Sequence, residues 1–118
     1  MRIERADPSA AKGWFAGPGE SGLAISVGYA NCGIDEPHLH RQITEVYLVA
    51  SGSCQIRVER ETITLQPGDL IVVEPGEAHT FLSSSSSYFH YVIHTPRLPV
   101  EQARADKQLV SRARLGLE

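Results

Sequence analysis

Between residues 22 and 96 the chain alternates short apolar runs with turn-forming residues. The clearest stretch is CQIRVER: Cys54, Ile56 and Val58 fall on one side of an extended segment, and Gln55, Arg57 and Glu59 on the other. That two-residue period belongs to a half-buried strand. GLAISVGYA (residues 22–30), TEVYLVASG (residues 44–52) and TITL (residues 62–65) read as further strands. LIVVEPGEAHTFL is apolar, broken at Pro75-Gly76, then apolar again, and YFHYVIHTP (residues 88–96) closes the series. Short strands divided by glycine and proline predict an all-β sandwich or barrel. No helical period occurs before residue 98.

The ends read differently. Residues 1–20 hold Pro8, Gly13, Gly17, Pro18 and Gly19, which predicts an irregular N-terminal arm anchored by Trp14 and Phe15. Residues 21–98 form the barrel. Residues 99–118 are rich in helix formers behind Pro99, and a short helix and an extended tail both fit. The serine run Ser83–Ser87 predicts a flexible hairpin loop.

At 118 residues the chain is one domain by length. A net charge of -3 and a pI near 5.9 disfavour nucleic acid as a partner. The two cysteines, Cys32 and Cys54, make no disulfide framework. No apolar run reaches membrane-spanning length, and the charged N-terminus lacks the apolar core of a secretory signal. A cytoplasmic protein with no membrane partner is the expectation.

The candidate chemistry lies in HLHRQITE. His38 and His40 share one face of a strand, about 6.6 Å apart along the chain, and both can reach one cation. Glu45 follows at an odd offset from His40 and joins them only if the chain bends within RQIT. His79, which opens a strand after the Pro75-Gly76 turn, is the candidate fourth ligand. Three imidazoles and a carboxylate suit a divalent transition metal (iron, manganese, nickel, copper or zinc) and suit calcium poorly. Four protein ligands on an octahedral ion leave about two positions for substrate or water.

With these residues in place, the chain resembles a small single-domain cupin of the cupin-2 type. The first motif of that family is matched by GIDEPHLHRQITEVYLVASG, with His38, His40, Glu45 and Gly52 in place and the leading spacer one residue short. The second is matched by GDLIVVEPGEAHTFLS through Gly68, Gly76 and His79, with Glu74 at the proline position and Ser83 at the asparagine position. The resemblance covers roughly residues 20–98. It implies a conical antiparallel β-barrel, the jelly-roll double-stranded β-helix, with the metal inside and a homodimer as the common assembly. Across the family the activities include dioxygenases, lyases and isomerases as well as binding proteins, so no single reaction is implied.

Alternation gives a first lining. Glu45 inward carries Tyr47 and Val49; the Cys54 face carries Ile56 and Val58; His79 carries Phe81. On the first strand Ile25, Val27 and Tyr29 are the expected inner set. On the last strand the choice between His90, Val92 and His94 and the opposite set stays open. No lysine or arginine falls on an assigned inner face, which disfavours a phosphosugar and favours a small neutral or singly charged substrate or ligand that chelates through oxygen. Against this, the loops can still supply Arg41 or Arg97 as a cationic clamp. Tyr47 is the candidate catalytic group, as proton donor or substrate orienter, against the plainer reading of a buried tyrosine with a satisfied hydroxyl. Cys54 reads as a small hydrophobe, and Val46 and Leu48 face outward, toward a partner subunit. The expected function is a metal-dependent enzyme, dioxygenase or lyase by preference. A non-catalytic binding or sensing module and a sugar isomerase or epimerase are the alternatives.

Overall fold

The computed structural model of the chain describes residues 1–19 and 22–118. The arm-to-barrel boundary expected at Glu20 and Ser21 lies outside the described residues. Among the described residues ten strands and one short helix follow in order: β1 (Lys12–Ala16), β2 (Ser26–Ala30), β3 (His38–His40), β4 (Thr44–Ser51), β5 (Cys54–Val58), β6 (Glu61–Leu65), β7 (Leu70–Val73), β8 (His79–Ser84), β9 (Phe89–Thr95), α1 (Val100–Asp106) and β10 (Lys107–Leu109). They form two five-stranded antiparallel sheets, ordered β1-β2-β9-β4-β7 and β10-β3-β8-β5-β6. The sheets face one another as a jelly roll, as the strand pattern predicts. Among the described residues no helix is long and apolar enough to cross a membrane.

The core fills one end of the space between the sheets: Tyr47 and Val49 from one sheet meet Cys54, Ile56, Leu65 and Phe81 from the other. Apart from Leu65, which β6 contributes, these are the inner positions that alternation assigns to β4, β5 and β8. Gly52 makes the β4–β5 turn at φ +66°, where a Cβ would lie 2.6 Å from the Tyr88 backbone, so only glycine fits.

The structure departs from the sequence reading at four points. Residues 12–16, expected in an irregular arm, form β1 against β2. Gly22–Ile25 bends, so β2 begins only at Ser26. The inner face of β2 is Ser26, Gly28 and Ala30, opposite the expected set, because these residues register with His94, Val92 and His90 of β9. Val27 and Tyr29 lie on the outer face, where Phe15 covers Tyr29 at a ring separation of 4.7 Å. Their hydrophobicity is spent on the arm, a burial that alternation alone assigns to the core. Ser83 and Ser84 belong to β8, and the hairpin turn falls at Ser86-Ser87.

The C-terminal residues are built into the molecule. After α1, β10 pairs with β3 in the register Lys107–His40 and Leu109–His38. A 3-10 turn over Arg112–Leu115 then buries Leu115 completely and accepts a hydrogen bond from Arg57 Nε at 2.9 Å.

Candidate metal centre and its cavity

Two cross-strand pairs build the centre. On one sheet His38 of β3 stands opposite His79 of β8; on the other Glu45 of β4 stands opposite His94 of β9. The chain passes between the sheets through the bend at Arg41-Gln42, which separates β3 from β4. This is the bend that the odd offset of Glu45 requires. His40 lies beside His38 on β3, and Gly76 N–H donates to its carbonyl at 2.7 Å, fastening the turn before His79 to the same strand.

The four expected ligands converge. Glu45 Oε1 lies 2.7 Å from His79 Nε2, 3.1 Å from His40 Nε2 and 3.7 Å from His38 Nε2. His40, Glu45 and His79 are buried and His38 is half-buried. The far side of each imidazole is fixed: Nδ1 faces the Glu36 carbonyl in His38 at 2.7 Å, the Glu77 carbonyl in His79 at 3.0 Å and the Asp106 carboxylate in His40 at 3.2 Å. Each acceptor calls for a proton on Nδ1, which leaves the Nε2 lone pair aimed at the centre.

That tautomer sets up a conflict the protein side chains cannot resolve alone. Glu45 Oε1 and His79 Nε2 are both buried, and neither has a hydrogen-bond partner among the described residues. Burial pushes the Glu45 carboxyl up, yet the four imidazoles gathered around it, His38, His40, His79 and His94, outweigh burial and hold the group well below the ordinary carboxylate range. A neutral His38, His40 or His79 ring with its proton on Nδ1 has none on Nε2 to donate to Glu45 Oε1, and donation would take a second proton on each ring. One divalent cation replaces those protons. With metal–ligand bonds of about 2.1 Å, neighbouring ligand atoms stand about 3 Å apart, which matches the observed approaches. The residues present fit such an ion.

His94 is the site residue that the motif spacing misses. Its Nε2 lies 2.8 Å from Glu45 Oε2, and the Tyr47 hydroxyl donates to the same oxygen at 2.8 Å. Glu45 is thus divided, with Oε1 toward three imidazoles and Oε2 held by Tyr47 and His94. His40, Glu45 and His94 also place ligand-type atoms within 4.8 Å of one another, as do His38, Glu45 and His79. Burial and the Glu45 charge push the Tyr47 phenol well above its usual value, so it stays protonated as a donor. Asp106 is the second residue missed. Its buried carboxylate accepts from Gln42 N–H at 2.7 Å and Ile43 N–H at 3.3 Å besides facing His40, so the C-terminal segment braces the bend between two ligand strands.

The centre opens into a cavity of about 880 Å³. His90 and Phe81 line its inner end, and Trp14, edge-on to His94 at 5.2 Å, lies where it meets solvent. Contrary to the sequence expectation, cations do line it: Lys12, Arg104 and Lys107. They come from β1, in the arm expected to be irregular, and from α1 and β10, in the C-terminal segment whose form the sequence left open. Arg41 and Arg97, the two expected loop contributors, are not among the lining residues.

Below the cavity the Tyr88 hydroxyl and His90 Nδ1 are 2.7 Å apart. Burial lowers the His90 imidazole from 6.5 to about 4, the Glu45 charge opposing weakly, and burial raises both Cys54 and Tyr88. Below pH 6.5 the unfolded chain gains a proton at His90 that the folded protein refuses until about pH 4. Stability therefore falls across that window, by about 3 kcal/mol from this group. Urea unfolding at pH 7 and pH 4 checks it: wild type loses about that much more than His90→Gln, and equal losses contradict the assignment.

The cupin domain family model matches residues 28–94, more than half of the chain, and the protein belongs to the cupin family. Solved structures with the same fold include Pac13 from Streptomyces, described as a nucleoside dehydratase. It is 17% identical, with 85% of each chain covered and a TM-score of 0.64. KdgF from Halomonas sp. is 18% identical, covering 78% of this chain and 86% of its own, with a TM-score of 0.62. Ectoine synthase from P. lautus is 14% identical, covering 89% and 80%, with a TM-score of 0.62. At these identities the likeness is one of fold. No curated protein matches the chain in sequence.

Proposed function

We propose that this cupin is a metal-dependent enzyme of the lyase type, holding one divalent transition metal through His38, His40, Glu45 and His79 and acting on a small molecule that chelates through its own oxygens. The observation that carries the reading is the convergence of three Nδ1-pinned imidazoles on a buried carboxylate oxygen without a partner. When bound, the metal supplies Lewis acidity toward substrate oxygens. The chain's own residues do the rest. Tyr47 and His94 hold the Glu45 carboxylate in one orientation. His94, half-buried at the cavity wall, is the group assigned to carry a substrate proton. Trp14 and Phe81 give the substrate apolar surface that displaces water. Proton-carrying side chains beside the ligands favour elimination over dioxygen chemistry, and the dehydratase description of Pac13 is in keeping with this choice.

The test is turnover of a panel of hydroxy acids, diketones and nucleosides by protein reconstituted with iron, manganese, nickel, copper or zinc. Activity is expected with at least one metal and is abolished by chelation. His94→Gln lowers kcat by about 10²–10⁴-fold with metal content unchanged. No turnover with any metal, together with a small molecule retained unreacted through purification, favours the binding-module alternative.

A homodimer completes the proposal. The outer face of β4, β7 and β9 carries Val46, Leu48, Leu70, Val72, Tyr91 and Ile93 in adjoining registers, and Leu70, Val72 and Tyr91 are all more than 40% exposed. A contiguous apolar sheet face of this kind calls for a cover, and a second copy supplies a self-complementary one. Light scattering after size exclusion is expected to give twice the 12.9 kDa chain mass and the single mass for Leu70→Arg/Val72→Arg. A monomeric wild type contradicts it.

A further inference from the structure

The cavity is framed by the two terminal strands. β1 and β10 are edge strands of opposite sheets. Lys12 registers with Ala30, and Trp14 with Gly28, so both project from the inner face of β1. Lys107 registers with His40, so it projects from the inner face of β10. Arg104 comes from α1, and all three cations line the cavity. Opposing charge there is small. Glu36 is the carboxylate on the lining outside the metal centre, and Lys107 already pairs with it. Arg104 has one distant partner, Glu101 at 3.8 Å, with both side chains exposed. No carboxylate lies within ion-pairing distance of the Lys12 ammonium among the described residues. A protein of net charge -3 thus gathers three of its eleven lysines and arginines around one cavity.

We infer that the ligand is a small organic anion, with an oxygen-chelating head at the His/Glu centre and an acidic group at the other end that meets Lys12 and Arg104, Lys107 remaining largely with Glu36. The inference rests on the proposed metal centre and names the class of molecule it receives. A carboxylate suits the rim: a single acidic group on a flexible tail needs one or two exposed cations, whereas a phosphate ester calls for a preformed bidentate clamp, and no buried arginine lines the cavity. The apolar stretch between the two ends, with Trp14 and Ile34 on the wall, suits a short hydrocarbon spacer.

Trp14 is the only tryptophan of the chain, so its fluorescence reports on the cavity without a label. The probes are the monohydroxamates of succinic, adipic and suberic acid, each compared with the hydroxamate of equal length bearing a carboxamide tail. Titrated into zinc-loaded protein at low salt, the acid-tailed probe of at least one length is expected to bind about fivefold tighter than its neutral twin. The preference shrinks toward unity in about 0.5 M NaCl and in Lys12→Gln/Arg104→Gln, in which the neutral probe keeps its affinity. Equal affinities of both tails at all three lengths, or a preference unchanged in the double variant, overturns the anion assignment alone. Binding of the neutral probe that is indifferent to zinc overturns the metal reading, and this inference with it.

Discussion

His79→Ala is expected to leave the purified protein with under about a tenth of a metal equivalent, and adding metal should no longer raise its thermal midpoint. His79 contributes the Nε2 closest to Glu45 Oε1, at 2.7 Å, from a side chain that is 1% exposed. No other imidazole takes its place: His38 and His40 are pinned through Nδ1 to separate acceptors, and His94 faces the other carboxylate oxygen. For wild type, metal at about a hundred times its dissociation constant adds about 2.7 kcal/mol to the folded state; the variant loses that increment. Without metal the variant is not expected to lose stability through this contact, since it removes one member of a crowded group whose atoms lack partners. Thermal scans with and without added zinc separate the two effects. A metal-induced shift surviving in the variant contradicts the role of His79.

Asp106→Ala is expected to be the most damaging change outside the ligands. The carboxylate is fully buried and serves two backbone N–H groups and the His40 ring. Its removal strands these donors beside the buried His40 and Ile43, at a cost of about 3 kcal/mol or more. It also frees the His40 tautomer, and loss of such a supporting carboxylate lowers metal affinity by about 10- to 100-fold. Asp106→Asn keeps the shape and one acceptor and so recovers much of the stability, while the loss of metal affinity remains. Chemical unfolding read beside a competitive metal titration distinguishes bracing of the chain from tuning of the ligand. Unchanged metal affinity in both variants would reduce Asp106 to a structural brace.

Where local pattern decides geometry, the sequence reads true. The inner faces of β4, β5 and β8 follow from alternation, and the bend between β3 and β4 follows from the parity of the Glu45 offset. The meeting of His79 with His38 follows from the turn at Pro75-Gly76 together with the motif spacing. Register and terminal packing are not local. His94 faces the centre because Thr44–Ser51 pairs with β9 in one register out of several, and no residue of YFHYVIHTP states that register. The inner phase of β2 inverts because Phe15, from an arm that alternation does not resolve, covers Tyr29. Asp106, Arg104 and Lys107 lie on a segment whose composition allows helix or tail alike, and Lys12 lies in an arm read as irregular. Their position depends on β1 and β10 finding the free edges of the two sheets.

The account stands on one ion held by four side chains, and metal analysis tests that most directly. Protein expressed in medium supplemented with each candidate metal and desalted should carry about one equivalent of a single divalent transition metal, and X-ray absorption should show a first shell of nitrogen and oxygen without sulfur. Less than about a tenth of an equivalent under every supplement, or a sulfur ligand in that shell, would contradict it.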